Sequence, residues 1–146
     1  MKYYYINTDK KTLGYSPHEK WIKYDRAFTS GDPPEGYEHY GVRVLGKLEP
    51  GDMLFMYVSR YGVVAAGWVA EFWDCCFYAG DDRLVYQNIE CAEYRIGVDW
   101  CLPVVSNPIS LDDLRGIIGW TPIPTLLRIR NTDAAERLFE EIRGRV

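Results

Sequence analysis

Two apolar runs that lie close together constrain the fold of this chain more than any other feature of its sequence. The runs are Met53–Ser59 and Val63–Phe72, and only three residues separate them. Apolar segments on either side of a short glycine-containing connection are typical of a β-hairpin. The small residues at 65–67 indicate that the second run packs closely against a neighbouring segment. The sequence therefore predicts two antiparallel neighbouring strands in a curved or barrel-like sheet.

Shorter elements are predicted on both sides of this hairpin. Strands are expected at Lys2–Thr8 and Ile89–Leu102, and helices at Pro17–Tyr24, from Ser110 through Arg115, and from Asp133 onward. In the last helix, Glu136 would act as the capping partner of Asp133. Two segments stay open between helix and strand, namely 40–48 and 124–129.

The order of these elements predicts the fold class. Because the strands do not alternate with long helices, a doubly wound parallel sheet is disfavoured. No linker or repeat divides the chain. We therefore expect one α+β domain over residues 1–146, built on a mixed or barrel-like sheet with a few short helices.

Charge and composition narrow the class of protein. The 17 basic and 21 acidic residues give a net charge of −4, which argues against a broad phosphate-binding surface but not against a pocket for one base. No signal peptide or membrane span is apparent, and the four cysteines lack metal-site or disulfide spacing. A cytoplasmic protein with reduced thiols, no metal and no membrane contact is expected.

Motifs for catalysis are absent from the sequence. It contains no dinucleotide-binding glycine motif, no P-loop and no nucleophile elbow. His18 and His39 lie in polar surroundings, and the paired acidic residues are neighbours in sequence that do not share a helix face. We expect no enzyme activity, no catalytic residues and no cofactor.

Aromatic side chains are the candidates for a binding site. They make up 15% of the chain, and as single residues they would be interpreted as core. As a set they could stack on a planar ligand, while polar groups at the ends of elements orient its edge. The predicted pocket lies between the first strand, the segment 21–31 and the strand end at 57–59. Its walls would be Trp21, Phe28, Tyr57 and Trp100, and its hydrogen-bonding groups Asn7, Ser30 and Ser59.

One long stretch resembles a known family. Trp21 to Gly31 reads W-I-K-Y-D-R-A-F-T-S-G, and L-x-P-G-D at 48–52 leads into M-L-F-M-Y and then G-V-V-A-A-G-x-V at 62–69. This is similar to the EVE-type branch of the PUA-like domains, a group that also includes YTH and ASCH domains. The element 27–31 resembles a variant found in proteins linked to nucleases or restriction systems. The first strand departs from the family, since it ends Ile6-Asn7-Thr8-Asp9 where common EVE proteins have Ser-Glu-Pro.

The resemblance implies a fold and a function. The fold would be a partly open mixed β-barrel flanked by short helices. The function would be a non-catalytic module whose aromatic pocket holds a flipped or single-stranded modified base in DNA or RNA. A partner nuclease or restriction component would supply phosphate contacts. The alternative is a sensor of a free nucleotide-like small molecule that binds no nucleic acid.

Overall fold

A computed structural model describes six parts of the chain, namely residues 1–8, 18–30, 45–58, 61–73, 93–119 and 126–146. Within these parts, only the backbone is described at residues 28–30, 71–73 and 93–95. The strands are β1 (Tyr3–Asn7), β2 (Arg26–Ser30), β3 (Met53–Val58), β4 (Gly62–Trp73), β5 (Glu93–Pro103) and β6 (Leu126–Arg128). The helices are α1 (His18–Tyr24), α2 (Leu111–Ile118) and α3 (Thr132–Arg145). None of the helices described has both the length and the apolar composition that crossing a membrane requires.

The six strands form one mixed sheet in the order β2-β5-β4-β3-β1-β6. All described strand pairs are antiparallel except β1 and β3, which run parallel with Tyr3 opposite Met53 and Asn7 opposite Tyr57. The sheet curls into a half-barrel, and the α+β class predicted from the sequence is confirmed.

Side-chain alternation along the strands gives the sheet two buried faces. On β3, Leu54, Met56 and Val58 point to one face, while Phe55 and Tyr57 point to the other. The first face packs against Trp21 of α1 and carries Trp100 of β5, and we call it the tryptophan face. The second packs against α2 and α3, and we call it the helix face.

The predicted hairpin is present. β3 and β4 pair in an antiparallel register from Met53–Trp68 to Val58–Gly62, with an irregularity after Met56. The close packing predicted for residues 65–67 is also found. A Cβ at Gly67 would lie 2.5 Å from the Asp99 carbonyl oxygen and 2.8 Å from the Trp100 ring.

The helix caps correct two sequence predictions. Ser110 caps α2 by accepting from the Asp113 amide, but the helix continues past Arg115 to Ile118. Asp133 does not cap α3. Asn131 does so instead, accepting a 3.1 Å hydrogen bond from the Ala134 amide. An amide oxygen caps an N-terminus as well as a carboxylate does, so composition alone could not separate the two candidates.

A buried carboxylate fixes the start of the parallel strand pair. Asp52 is 3% exposed and accepts 3.0 Å hydrogen bonds from the backbone amides of Lys2 and Glu49. The Met53 amide in turn donates to the Lys2 carbonyl at 2.9 Å. Asp52 thus joins the beginning of β1 to the beginning of β3.

Candidate ligand site at the β1–β3 rim

The carboxyl ends of the two parallel strands lie side by side, because parallel strands end at the same edge of a sheet. Asn7 is opposite Tyr57, and the Thr8 amide extends the ladder by donating to the Tyr57 carbonyl at 3.0 Å. We call the end formed by Tyr5, Asn7, Thr8 and Tyr57 the β1–β3 rim. It includes two of the residues predicted from the sequence to bind a ligand, Asn7 and Tyr57.

On the helix face, the rim holds a buried tyrosine pair. The rings of Tyr5 and Tyr57 are 5.3 Å apart with their planes tilted by 46°. The Tyr5 hydroxyl is buried, and none of the residues that the structure describes makes a regular hydrogen bond with it. Burial raises the pKa of Tyr5 strongly and the neighbouring Tyr57 raises it further, whereas the side chain of Asn7 lowers it. Tyr5 therefore remains a neutral donor at physiological pH.

The Thr8 hydroxyl is the second buried polar group at the rim. Thr8 is 0% exposed, and its Oγ1 atom lacks a hydrogen-bond partner anywhere in the structure as described. Alternation from Ile6 places this side chain on the tryptophan face. The rim consequently carries an unsatisfied hydroxyl on each face of the sheet, while the Asn7 side chain is half-buried.

Two of the predicted aromatic walls lie together inside the core. Trp21 is 0% exposed and Trp100 is 4% exposed. Their ring centroids are 6.3 Å apart, and the Trp100 indole N–H donates a 2.9 Å hydrogen bond to the Arg26 carbonyl. The hydrogen bond connects β5 to the start of β2, and the contact between the two rings packs α1 on the tryptophan face.

The structure does not bring these tryptophans and Tyr57 to one side of the sheet. Trp21 and Trp100 belong to the tryptophan face, and Tyr57 belongs to the helix face. The wall roles of Trp21 and Trp100 stay predictions, and both rings would have to leave the core to contact a ligand.

The remaining predicted residues fall where side chains are not described. The backbones of Phe28 and Ser30 pair with Arg95 and Glu93 along β5. Ser59 lies outside the described residues. Their predicted roles are therefore untested.

Sequence reasoning missed Tyr5 and Thr8. The signal was present in part, since alternation along Tyr3–Thr8 separates Tyr5 and Asn7 from Ile6 and Thr8. What identifies the rim, however, is the parallel pairing with β3, which needs a long connection that leaves no local pattern.

The charge around one surface depression, on α3, is unfavourable for phosphate. An open depression of about 480 Å³ runs along α3 and is lined by four carboxylates and one arginine: Asp133, Glu136, Arg137, Glu140 and Glu141. Within the described ranges, no three His, Cys, Asp or Glu side chains group as a metal site would require.

Solved structures with the same architecture exist at low sequence identity. A tyrosine-to-phenylalanine mutant of ZmASCH from Zymomonas mobilis is 15% identical, with a TM-score of 0.56 over 96% of this chain and 98% of that one. Rpa0253 from Rhodopseudomonas palustris is 10% identical, with a TM-score of 0.52 over 99% and 94%. A Pseudomonas putida protein is 13% identical, with a TM-score of 0.53 over 97% and 99%. No protein-family profile and no curated protein matches the chain.

These similarities extend over nearly the full length of both partners, so they concern the whole fold. They show a fold shared with the ASCH structures, whereas membership of the PUA-like group and of its EVE-type branch stays a prediction. The chain therefore has the ASCH-type, PUA-like α+β fold, a mixed half-barrel flanked by short helices.

Proposed function

We propose that this chain is a non-catalytic nucleic-acid-binding module that holds the edge of one base, in its finer form a modified base, at the β1–β3 rim. The Thr8 hydroxyl carries the proposal. It is fully buried and unsatisfied among the described residues, and it directly follows the half-buried Asn7 in the sequence. Like the two tryptophan rings, it contacts a ligand only when the residues that cover it move. The ASCH-type fold is compatible with nucleic-acid binding.

The energetic argument concerns the unpaired hydroxyl. A buried donor or acceptor without a partner costs about 1–3 kcal/mol, and nearly all such groups in native proteins are satisfied. A base edge offers donors and acceptors that could satisfy it. An apolar residue of the same shape would remove the penalty altogether, so we interpret the hydroxyl as a hydrogen-bonding group for a ligand.

Replacing Thr8 by valine separates stability from binding. Thr8→Val should leave the free energy of unfolding unchanged or raise it by up to about 1 kcal/mol. The same variant should bind a labelled single-stranded oligonucleotide roughly threefold to tenfold more weakly, because one hydrogen bond to the ligand is lost. Fluorescence anisotropy with RNA and DNA strands, each with and without methylated bases, measures this.

The conservative variant Thr8→Ser is the control, since it keeps the hydroxyl and should keep most of the affinity. Unchanged affinity in Thr8→Val would remove Thr8 from the site. If no RNA or DNA strand binds the wild type, the module binds no nucleic acid.

A free nucleotide-like molecule is the second candidate ligand. The net charge of −4 favours it, because a long polyanion is repelled more than a small molecule. Nucleosides and mononucleotides added as competitors distinguish the two. If a nucleoside or mononucleotide competes as strongly as the whole strand does, the small-molecule sensor is favoured. If strands bind only when a partner nuclease is added, a phosphate-binding surface shared by the two proteins is favoured.

A further inference from the structure

We infer that Tyr61 is a stacking platform for an unpaired base beside the rim, so that the nucleic acid bound here is single-stranded. The inference rests on the proposed function and adds to it the class of nucleic acid. The evidence is an exposed aromatic ring, the backbone contacts that hold Tyr61 and Gly62 in place, and their position at the same end of the sheet as the rim.

Tyr61 has one of the two largely exposed aromatic rings among the described side chains. It is 54% exposed, whereas Tyr4, Tyr5 and Tyr57 are at most 6% exposed. Among the described aromatic side chains, Tyr24 on α1 is the other large ring exposed to a similar degree, at 50%.

The turn that carries Tyr61 is held firmly on both sides. The Tyr61 amide donates to the Val58 carbonyl at 3.0 Å. Next to it, Gly62 has a φ of +111° and packs so tightly on the Ile109 carbonyl that a side chain could not fit. Val63 and Ile109 exchange backbone hydrogen bonds of 2.9 and 3.0 Å. The backbone that carries the Tyr61 ring is therefore already ordered before a ligand binds.

The turn also lies at the rim. Val58, which anchors Tyr61, directly follows Tyr57, and the Tyr57 carbonyl receives the Thr8 amide. Exposed aromatic rings on which bases stack are a common feature of single-strand-binding surfaces.

The chemistry of stacking selects the strand state. A base in a duplex has both of its faces covered by neighbouring pairs, whereas an unpaired base can lay one face on a protein ring. Stacking contributes without regard to sequence, so Tyr61 would add affinity for single strands while the rim discriminates one base.

The experiment measures anisotropy of a labelled 12-nucleotide single strand, as RNA and as DNA, and of the same strands annealed to their complements. We expect Tyr61→Ala to bind single strands about 5- to 150-fold more weakly. Tyr61→Phe should bind like the wild type, because it keeps the ring. Tyr24→Ala is the matched control, being an equally exposed tyrosine, and should change affinity less than twofold.

Each outcome separates this inference from the function on which it rests. If the wild type binds the strands and Tyr61→Ala binds them equally well, the platform is refuted while the rim stays tenable. Tighter binding of duplexes than of single strands refutes the strand class. If the wild type binds neither strands nor duplexes, the proposed function itself fails. A thermal melt of Tyr61→Ala confirms that the exposed substitution leaves the fold intact.

Discussion

The Tyr5 hydroxyl shows how a single group can link stability to pH in this protein. Burial and the adjacent Tyr57 ring both oppose ionisation of the phenol, so its pKa in the folded chain is raised. In the unfolded chain the phenol returns to its ordinary pKa of about 10. The folded state therefore holds this proton more tightly, and alkaline conditions favour unfolding.

Replacing Tyr5 by phenylalanine tests this linkage. At pH 7 we expect Tyr5→Phe to be as stable as the wild type or up to about 1 kcal/mol more stable, because an unsatisfied hydroxyl is removed. The wild type should lose stability as the pH rises above about 10, and the variant should lose less of it. Denaturant titrations at pH 8, 9.5 and 10.5 measure the difference.

Tyr3→Phe provides the comparison for that experiment. Burial, with Glu136 as a lesser cause, also raises the pKa of Tyr3, but this residue is only partly buried and lies at the other end of β1. Parallel alkaline losses in the wild type and in Tyr5→Phe would show that Tyr5 does not govern the pH dependence.

The β3–β4 hairpin shows what the sequence reveals at the level of elements. Its two strands are contiguous in the chain, and their apolar runs and glycine connection were sufficient to predict the pairing. Two features require a glycine at position 62. Its φ of +111° would strain any other residue, and a Cβ there would clash with the Ile109 carbonyl.

Gly62→Ala should therefore destabilise the protein by about 2–4 kcal/mol, from backbone strain together with overpacking. Gly51→Ala is a close control. Gly51 also has a positive φ, +88°, but has nothing within 4 Å of the position that a Cβ would take, so about 1 kcal/mol is expected. Chemical denaturation of both variants measures the difference, and equal losses would mean that contact with Ile109 has little effect.

Other elements were harder to predict, for physical reasons. The start of the helix after Ser110 was predicted correctly from its cap, but its length was not. Gly116 disfavours a helix, and the packing of Ile118 in the core overrides that preference. The segment 27–31 gave no strand signal, yet Arg26–Ser30 forms β2 because it pairs with β5. The rim depends in the same way on the pairing of β1 with β3. Sequence reasoning proposed Asn7 and Tyr57 as ligand-binding residues, a role that stays a prediction, and had no local pattern that would single out Tyr5 and Thr8.

The whole molecule is organised around a sheet with a core on each side. Neighbouring residues of β3 belong to different cores, Leu54 to the tryptophan face and Phe55 to the helix face. Both are completely buried. Because one strand serves both cores, loss of either core should unfold the other.

Leu54→Ala and Phe55→Ala test this coupling. Each should lower the free energy of unfolding by about 2–5 kcal/mol. In each variant, tryptophan fluorescence, to which Trp21 and Trp100 contribute from one face and Trp68 from the other, should change together with far-UV circular dichroism. Transitions that separate in either variant would show that the two cores unfold independently.

Asp52 lies at the opposite end of the strands from the rim, yet it determines which side chains are present at the rim. By holding Lys2 at the start of β1, it fixes which β1 residue faces each β3 residue along the whole parallel ladder. A slip of one residue would exchange the two faces of β1, moving Tyr5 and Asn7 to the tryptophan face and Thr8 to the helix face. For the ligand site that we propose at the rim, a substitution at position 52 would therefore alter recognition from the opposite end of the strands, without touching the ligand.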